Sequence, residues 1–288
     1  MKGIVLAGGR GTRLYPLTRV LSKQLFPVHD KPLVYYPIAT LMQSKIKDIL
    51  IISSPQDIPM YRELLGDGSE LGVRFSYKIQ EKPNGIAEAF KIGREFIDND
   101  DVCLILGDNI FHGIDFTHIS KKISSIPAKG GVVFTYKVSD PERFGVVEMV
   151  KGKPVSIVEK PKNPKSNNAV VGLYMYDKNI AKTAEQLKPS ARGELEITDI
   201  NKILLSKNKL DVIELNQGVA WLDTGTYESL NDASQFIRTI EARQGIKIGC
   251  LEEISYKNGW ISKKVIKKIA GNLKNTGYGE YLTNLIKK

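Results

Sequence analysis

Short apolar runs separated by longer amphipathic stretches set the rhythm of the first 140 residues. Runs rich in β-branched residues at 2–7, 48–53, 73–79, 101–106 and 131–138 predict strands. Between them, apolar positions recur at helical spacing over 33–44, 57–65, 86–97 and 116–124. This alternation predicts an α/β, Rossmann-like fold, with a mainly parallel central sheet flanked by helices. The run Ile49-Leu50-Ile51-Ile52 has no polar face, as a strand buried on both sides should not.

Past Pro141 the rhythm changes. Strand patterns at 145–150, 155–159, 170–176 and 211–215 follow with fewer helices between them, which predicts an added mixed or antiparallel layer. The proline- and asparagine-bearing stretch 160–168 reads as a loop. Helical periodicity then runs from 226 to 244 and stops at Gly245. Two short helices are expected at 262–270 and 278–285. No internal repeat is visible, and no hexapeptide run that would build a β-helix.

Composition narrows the function classes. Hydrophobic residues at 42% and charged residues at 26% describe a folded globular chain rather than a disordered or collagenous one. The net charge of +10 invites a nucleic-acid reading, but +7 of it falls in residues 257–288, leaving the body nearly balanced. That tail lacks interleaved aromatic and basic residues, so no nucleic-acid partner is expected. Its lysines alternate with Val265, Ile266 and Ile269, the pattern of a solvated face on packed helices. Two cysteines make no disulfide framework, and three histidines make no zinc spacing. No window has the apolar length of a membrane span, and the first residues break into glycine too early for a signal peptide. No membrane partner and a cytoplasmic location are therefore expected.

Gly8-Gly9-Arg10-Gly11-Thr12-Arg13-Leu14 follows the first strand directly. Glycines at a strand's carboxyl end let backbone N–H groups approach a polyphosphate, and arginines neutralise it. Leu14 stands where a dinucleotide fingerprint needs a small residue, and the Gly-Lys-Ser/Thr ending of a P-loop is missing. The loop is of another type.

Lys23-Gln24-Leu25-Phe26-Pro27-Val28 comes next, and with the glycine loop it resembles the signature of the sugar-1-phosphate nucleotidyltransferases. Further segments agree in order: Gln80-Glu81-Lys82-Pro83-Asn84-Gly85, Leu106-Gly107-Asp108-Asn109, Arg143-Phe144-Gly145, Val158-Glu159-Lys160-Pro161 and Trp221-Leu222-Asp223-Thr224-Gly225. The likeness covers residues 1 to about 245, and ordered co-occurrence is far more specific than any single motif. Within the family it is closer to the members that use dTTP and glucose 1-phosphate. Uridylyl or cytidylyl transfer, or a non-catalytic nucleotide-sugar sensor, are the alternatives.

The resemblance implies a direct displacement at the α-phosphorus of a nucleoside triphosphate, in which positioning and charge neutralisation matter more than covalent catalysis. It implies that Arg13, Lys23 and Lys160 stabilise charge. Gly8, Gly11 and Thr12 would offer backbone N–H groups, and Gln24, Gln80 and Gly85 would read the base. An amide can both donate to a base carbonyl and accept from N3–H. Asn109, Gly145, Glu159, Lys160, Val170 and Trp221 would form the sugar-phosphate site. Asp108 and Asp223 would hold Mg²⁺, each having helix capping as its alternative role. A homotetramer is implied, commonly with a second nucleotide site. The expected organisation is a catalytic domain over 1–245, with a nucleotide part at 1–140 and a sugar-phosphate part at 141–225, plus a helical extension at 246–288. Three positions depart from the family pattern: Phe144 for tyrosine, Ile86 for leucine, and Glu88 for glutamine.

Overall fold

The computed structural model describes residues 1–9, 11–116 and 130–287. Its strands are β1 (Lys2–Leu6), β2 (Pro27–Val28), β3 (Lys31–Pro32), β4 (Asp48–Ser53), β5 (Arg74–Ile79), β6 (Val102–Leu106) and β7 (Asn109–His112). They continue as β8 (Gly131–Lys137), β9 (Gly145–Val150), β10 (Lys153–Glu159), β11 (Asn168–Tyr176), β12 (Leu210–Glu214) and β13 (Ala220–Asp223). Every predicted strand is present, with ends shifted by two residues at most. The predicted helix at 116–124 lies outside the described residues, apart from Phe116.

Nine strands form one sheet in the order β10-β9-β11-β6-β1-β4-β5, with β8 on the other edge of β11 and β12 beyond it. The pairings make β6, β1, β4 and β5 a parallel block, while β11 and β10 run against the other seven strands. Alternate residues of the central strands serve opposite layers. Val5, Ile49 and Ile51 pack with the helix Tyr35–Gln43, whereas Ile4, Leu50 and Ile52 pack with Phe90 and Ile200. Burial on both faces is why these strands read as continuous apolar runs.

The predicted helix at 86–97 is two pieces, Glu88–Ile92 and Arg94–Ile97, parted at Gly93. A Cβ there would stand 2.9 Å from the Ala89 carbonyl oxygen and 3.0 Å from Ile4, so glycine lets the chain lie against the sheet. Among strands and α-helices, five features escaped the periodicity: the hairpin β2–β3, the ribbon β7–β13, and the helices Ile180–Glu185, Ile197–Ser206 and Leu251–Lys257. Two-residue strands carry no periodicity, and a helix of six or seven residues has fewer than two turns in which to show one.

Leu251 and Ile254 join the main core, while Cys250, Ile261, Ile266, Ala270, Leu282 and Ile286 form a smaller cluster of their own. Among the described residues no helix is long and apolar enough to cross a membrane.

Candidate active site

The parallel block decides where ligands can gather. Its four strands end on one rim, and the residues just past them are Asp108, Gly8, Ser54 and Gln80. Ligands of open parallel sheets bind beyond such carboxyl ends. A cleft of about 460 Å³ opens there, lined by Gly8, Gly9, Lys23, Ser54, Gln80 and Lys82 among others.

Two glycines shape the rim. Gly11 adopts φ +54° and its carbonyl accepts from the Thr18 hydroxyl at 3.0 Å. A Cβ on Gly8 would lie 2.9 Å from Gln80 Oε1, so any other residue would push that amide aside. Thr12, Arg13 and Leu14 form one 3₁₀ turn, pinned by a wholly buried Leu14. Arg10 lies outside the described residues.

The amides are already partly engaged. Gln24 is buried; its Oε1 accepts from Ser22 at 2.6 Å and its Nε2 donates to the Gly8 carbonyl at 3.3 Å. It therefore braces the loop from below. Gln80 Nε2 donates to Glu88 at 2.8 Å and to the Gly85 carbonyl at 3.4 Å. Both amide protons of Gln80 are used, so it has only an acceptor left for a base. Gly85 has φ +107°, and a Cβ would sit 2.4 Å from the Leu195 carbonyl oxygen.

Asp108 and Asp223 meet by a route other than the one the strand pattern suggests. Asp108 follows β6 of the main sheet, but Asp223 ends β13, which among the described residues pairs only with β7. The register places Asp223 opposite Asn109, and Thr224 Oγ1 donates to the Asp108 carbonyl at 2.8 Å. A two-stranded ribbon, rather than a shared sheet edge, joins the carboxylates. Neither caps a helix: Asp108 leads into β7, and Thr226 caps Tyr227–Gln244.

Lys23 Nζ is paired with Asp108 Oδ2, and Asn109 Nδ2 donates to Asp108 Oδ1 at 2.9 Å. Burial pushes the Asp108 carboxyl up, but Lys23 and these hydrogen bonds outweigh it and hold the group below its ordinary value. Asp223 goes the other way. Burial and the neighbouring Asp108 charge raise it, against Lys23, Arg13 and Arg143. Arg143 Nη2 lies 3.7 Å from Asp223, and Arg13 Nη2 lies 3.1 Å from where a Gly225 Cβ would be, beside Asp223 Oδ2. Two carboxylates that repel in a half-buried cleft, with hard oxygen donors only, form a donor set suited to a divalent cation such as Mg²⁺.

The predicted sugar-phosphate residues divide into two linked groups. In the first, Asn109 Oδ1 accepts from Gly172 N at 3.1 Å and Trp221 Nε1 at 2.6 Å, so this amide is committed to protein partners. Trp221 also meets Phe144 edge-on at 5.2 Å between ring centres. In the second, Gly145 and Glu159 are register partners on β9 and β10. A Cβ on Gly145 would lie 3.3 Å from both Glu159 Oε2 and Thr198 Oγ1, with Val170 at 3.8 Å. Lys160, at φ +42°, is 4.0 Å from Glu159 and half exposed.

Arg143, Arg192 and Thr198 escaped the sequence reading. Arg192 lies 3.6 Å from Glu159 and pairs with Glu196 at 2.8 Å; Thr198 donates to Glu159 at 2.5 Å. Arg143 stood inside a quoted motif, whereas Arg192 and Thr198 had no local signal. A second cavity of about 350 Å³ is lined by Tyr36, His112, Gly113, Lys247 and Asn258 among others.

A parallel block ending in a glycine loop, opposed carboxylates and converging cations defines a nucleotide-handling transferase. Comparison agrees: the nucleotidyl transferase family model matches residues 2–240, and the chain belongs to that family. The chain is 53% identical, over the full length of both, to glucose-1-phosphate thymidylyltransferase of Neisseria meningitidis serogroup A. It is 52% identical to the enzyme of that name from Mycolicibacterium smegmatis, covering 99% of each. A Bacillus anthracis protein provisionally named glucose-1-phosphate thymidylyltransferase, crystallised with sucrose, superposes with a TM-score of 0.77 at 43% identity. That match covers 83% of this chain and 95% of the other.

Proposed function

We propose that this enzyme transfers the thymidylyl group of dTTP to glucose 1-phosphate, giving dTDP-glucose and pyrophosphate, as its named relatives imply. The observation that carries this reading is the meeting of Arg13, Lys23 and Arg143 with Asp108 and Asp223 at the end of the glycine-lined cleft. A phosphate oxygen of the sugar forms a bond to the α-phosphorus while the bond from that phosphorus to pyrophosphate breaks. Both reactants are anions, so three converging cations lower the repulsion and hold them in line. Lys23 and Arg13 stabilise the α-phosphate and the departing pyrophosphate. Lys160 takes the sugar phosphate and Glu159 a pair of sugar hydroxyls, with Trp221 and Val170 walling the ring. Asp108 and Asp223 would hold Mg²⁺, which would supply further neutralisation of phosphate charge.

In the same reading, residues 1–140 form the nucleotide part, residues 141–225 the sugar-phosphate part, and the helices of 246–288 offer contacts for a homotetramer in the cytoplasm. Pyrophosphate release from purified protein with Mg²⁺, glucose 1-phosphate and each triphosphate in turn tests the reaction. The expected order is dTTP, then UTP, with purine nucleotides poor. Equal rates with ATP or GTP would overturn it.

A further inference from the structure

Glu88 belongs to none of the expected site residues, yet it touches the side chain that faces the base. It opens the helix Glu88–Ile92, one turn after the Gly85 bend. Its two carboxylate oxygens have separate partners. Oε2 accepts from Gln80 Nε2 at 2.8 Å, and Oε1 accepts from Asn84 Nδ2 at 2.8 Å.

An amide side chain can be turned over with little change in shape, exchanging donor for acceptor. Here the exchange is blocked. The end of Gln80 directed at Glu88 also faces the Gly85 carbonyl, and both neighbours are acceptors. An NH₂ satisfies them, whereas a carbonyl oxygen in its place would leave three acceptors facing one another. Gln80 Oε1 consequently points the other way, toward Gly8 and the cleft. Among the described residues no donor reaches that oxygen. Asn84 fixes the carboxylate in turn, and the loop bearing it is clamped by Leu195, whose N–H donates to the Asn84 carbonyl at 2.6 Å.

We infer that Glu88 is a positioning residue for base choice: it locks Gln80 with its acceptor toward the cleft, selecting pyrimidines that carry an N3–H. This rests on the nucleotide reading above and deepens it. Thymine and uracil donate N3–H to that oxygen. Cytosine in the same seat presents a bare N3 lone pair, and Gln80 cannot turn to meet it. With glutamine at position 88 the lock weakens to the longer bond with the Gly85 carbonyl, because a second amide can donate to or accept from Gln80 equally well.

Titration calorimetry with UTP and CTP, in Mg²⁺ without sugar phosphate, reads this apart from turnover. The native protein is expected to prefer UTP by about 30-fold or more. In Glu88→Gln that ratio narrows about tenfold, chiefly through tighter CTP binding, a step equal to about 1.4 kcal/mol. Glu88→Ala, which removes the charged acceptor, narrows the ratio in the same direction. Equal loss of both affinities would make Glu88 merely structural and overturn the inference. So would an unchanged ratio in folded variants, or a native protein indifferent between the two, even with dTTP turnover intact. Binding of neither nucleotide would sink the nucleotide reading as well.

Discussion

Two ionic clusters in this chain each set basic side chains against carboxylates, and they differ in burial and in what they face. At the base of the helix Tyr227–Gln244, Lys31 and Lys247 face Asp30 and Glu241. Lys31 reaches Glu241 at 3.0 Å and Lys247 reaches it at 2.8 Å, while Ile248 N–H donates to the same carboxylate at 2.8 Å. The Lys31 and Glu241 side chains are only 2% and 3% exposed. The charges balance, and each ammonium spans both acids. In the cleft, Lys23, Arg13 and Arg143 converge on Asp108 and Asp223, with Asp223 and Arg143 22% and 43% exposed. Arg143 is also held by Asp140 at 2.6 Å, so the charges there nearly balance too, but the cluster opens toward solvent. A closed, buried cluster ties segments together; an open one that turns its cations to a cleft can receive anions. His29 lies 3.6 Å from Glu241 and completes a group with metal-binding residue types, but two ammonium groups already fill the role of the cation.

Breaking the open cluster should cost rate and little stability. Asp108→Asn and Asp223→Asn are each expected to lower turnover by about 10³-fold, the loss of several kcal/mol of charge neutralisation. The double variant should be little worse than either single one, since both would act on one ion. Melting temperature should stay or rise in Asp223→Asn, whose carboxyl is raised by folding, and fall modestly in Asp108→Asn, which leaves Lys23 without its partner. A destabilised variant with nearly full activity and an unchanged Mg²⁺ requirement would defeat the assignment.

Breaking the closed cluster should do the reverse. Lys31→Met leaves Glu241 short of a buried partner and is expected to cost about 3 kcal/mol of stability. Chemical denaturation would register it as a lower midpoint, with turnover at a permissive temperature close to native. If the midpoint held while turnover collapsed, the division between the two clusters would fail.

The smallest effect concerns acid. Burial raises the Asp30 carboxyl, but hydrogen bonds and charge from Lys247 and Lys31 outweigh it and bring the group below its ordinary 3.8. A carboxyl depressed by folding stabilises at pH above its unfolded value, and that contribution disappears as pH falls through the folded value. Asp30→Asn should therefore lower the melting temperature at pH 7 and converge on native behaviour as pH falls below the ordinary 3.8 and through the folded value. A constant gap between the two melting profiles across that range would show that Asp30 acts by packing alone.

What the amino-acid sequence determined by itself is the local part of this protein. Apolar runs of four or five residues specify β1, β4 and β6 because a strand buried on both faces needs no partner to be recognised. Glycine motifs specify the loop after β1, since few other residues tolerate φ +54° at position 11. Position 88 was legible only as a departure from pattern. That its carboxylate grips Gln80 depended on the Gly85 bend and on Leu195, more than 100 residues onward. The Asp108–Asp223 meeting likewise required the four-residue ribbon strands β7 and β13, too short to show a period. Arg192 and Thr198 reach Glu159 from a segment more than 30 residues away. Local backbone preference acts over a few residues and is written in their order. Charge pairing across distant segments is settled only when strand register and helix packing bring side chains within a few ångströms, where the Coulomb and hydrogen-bond energies that define the site become large.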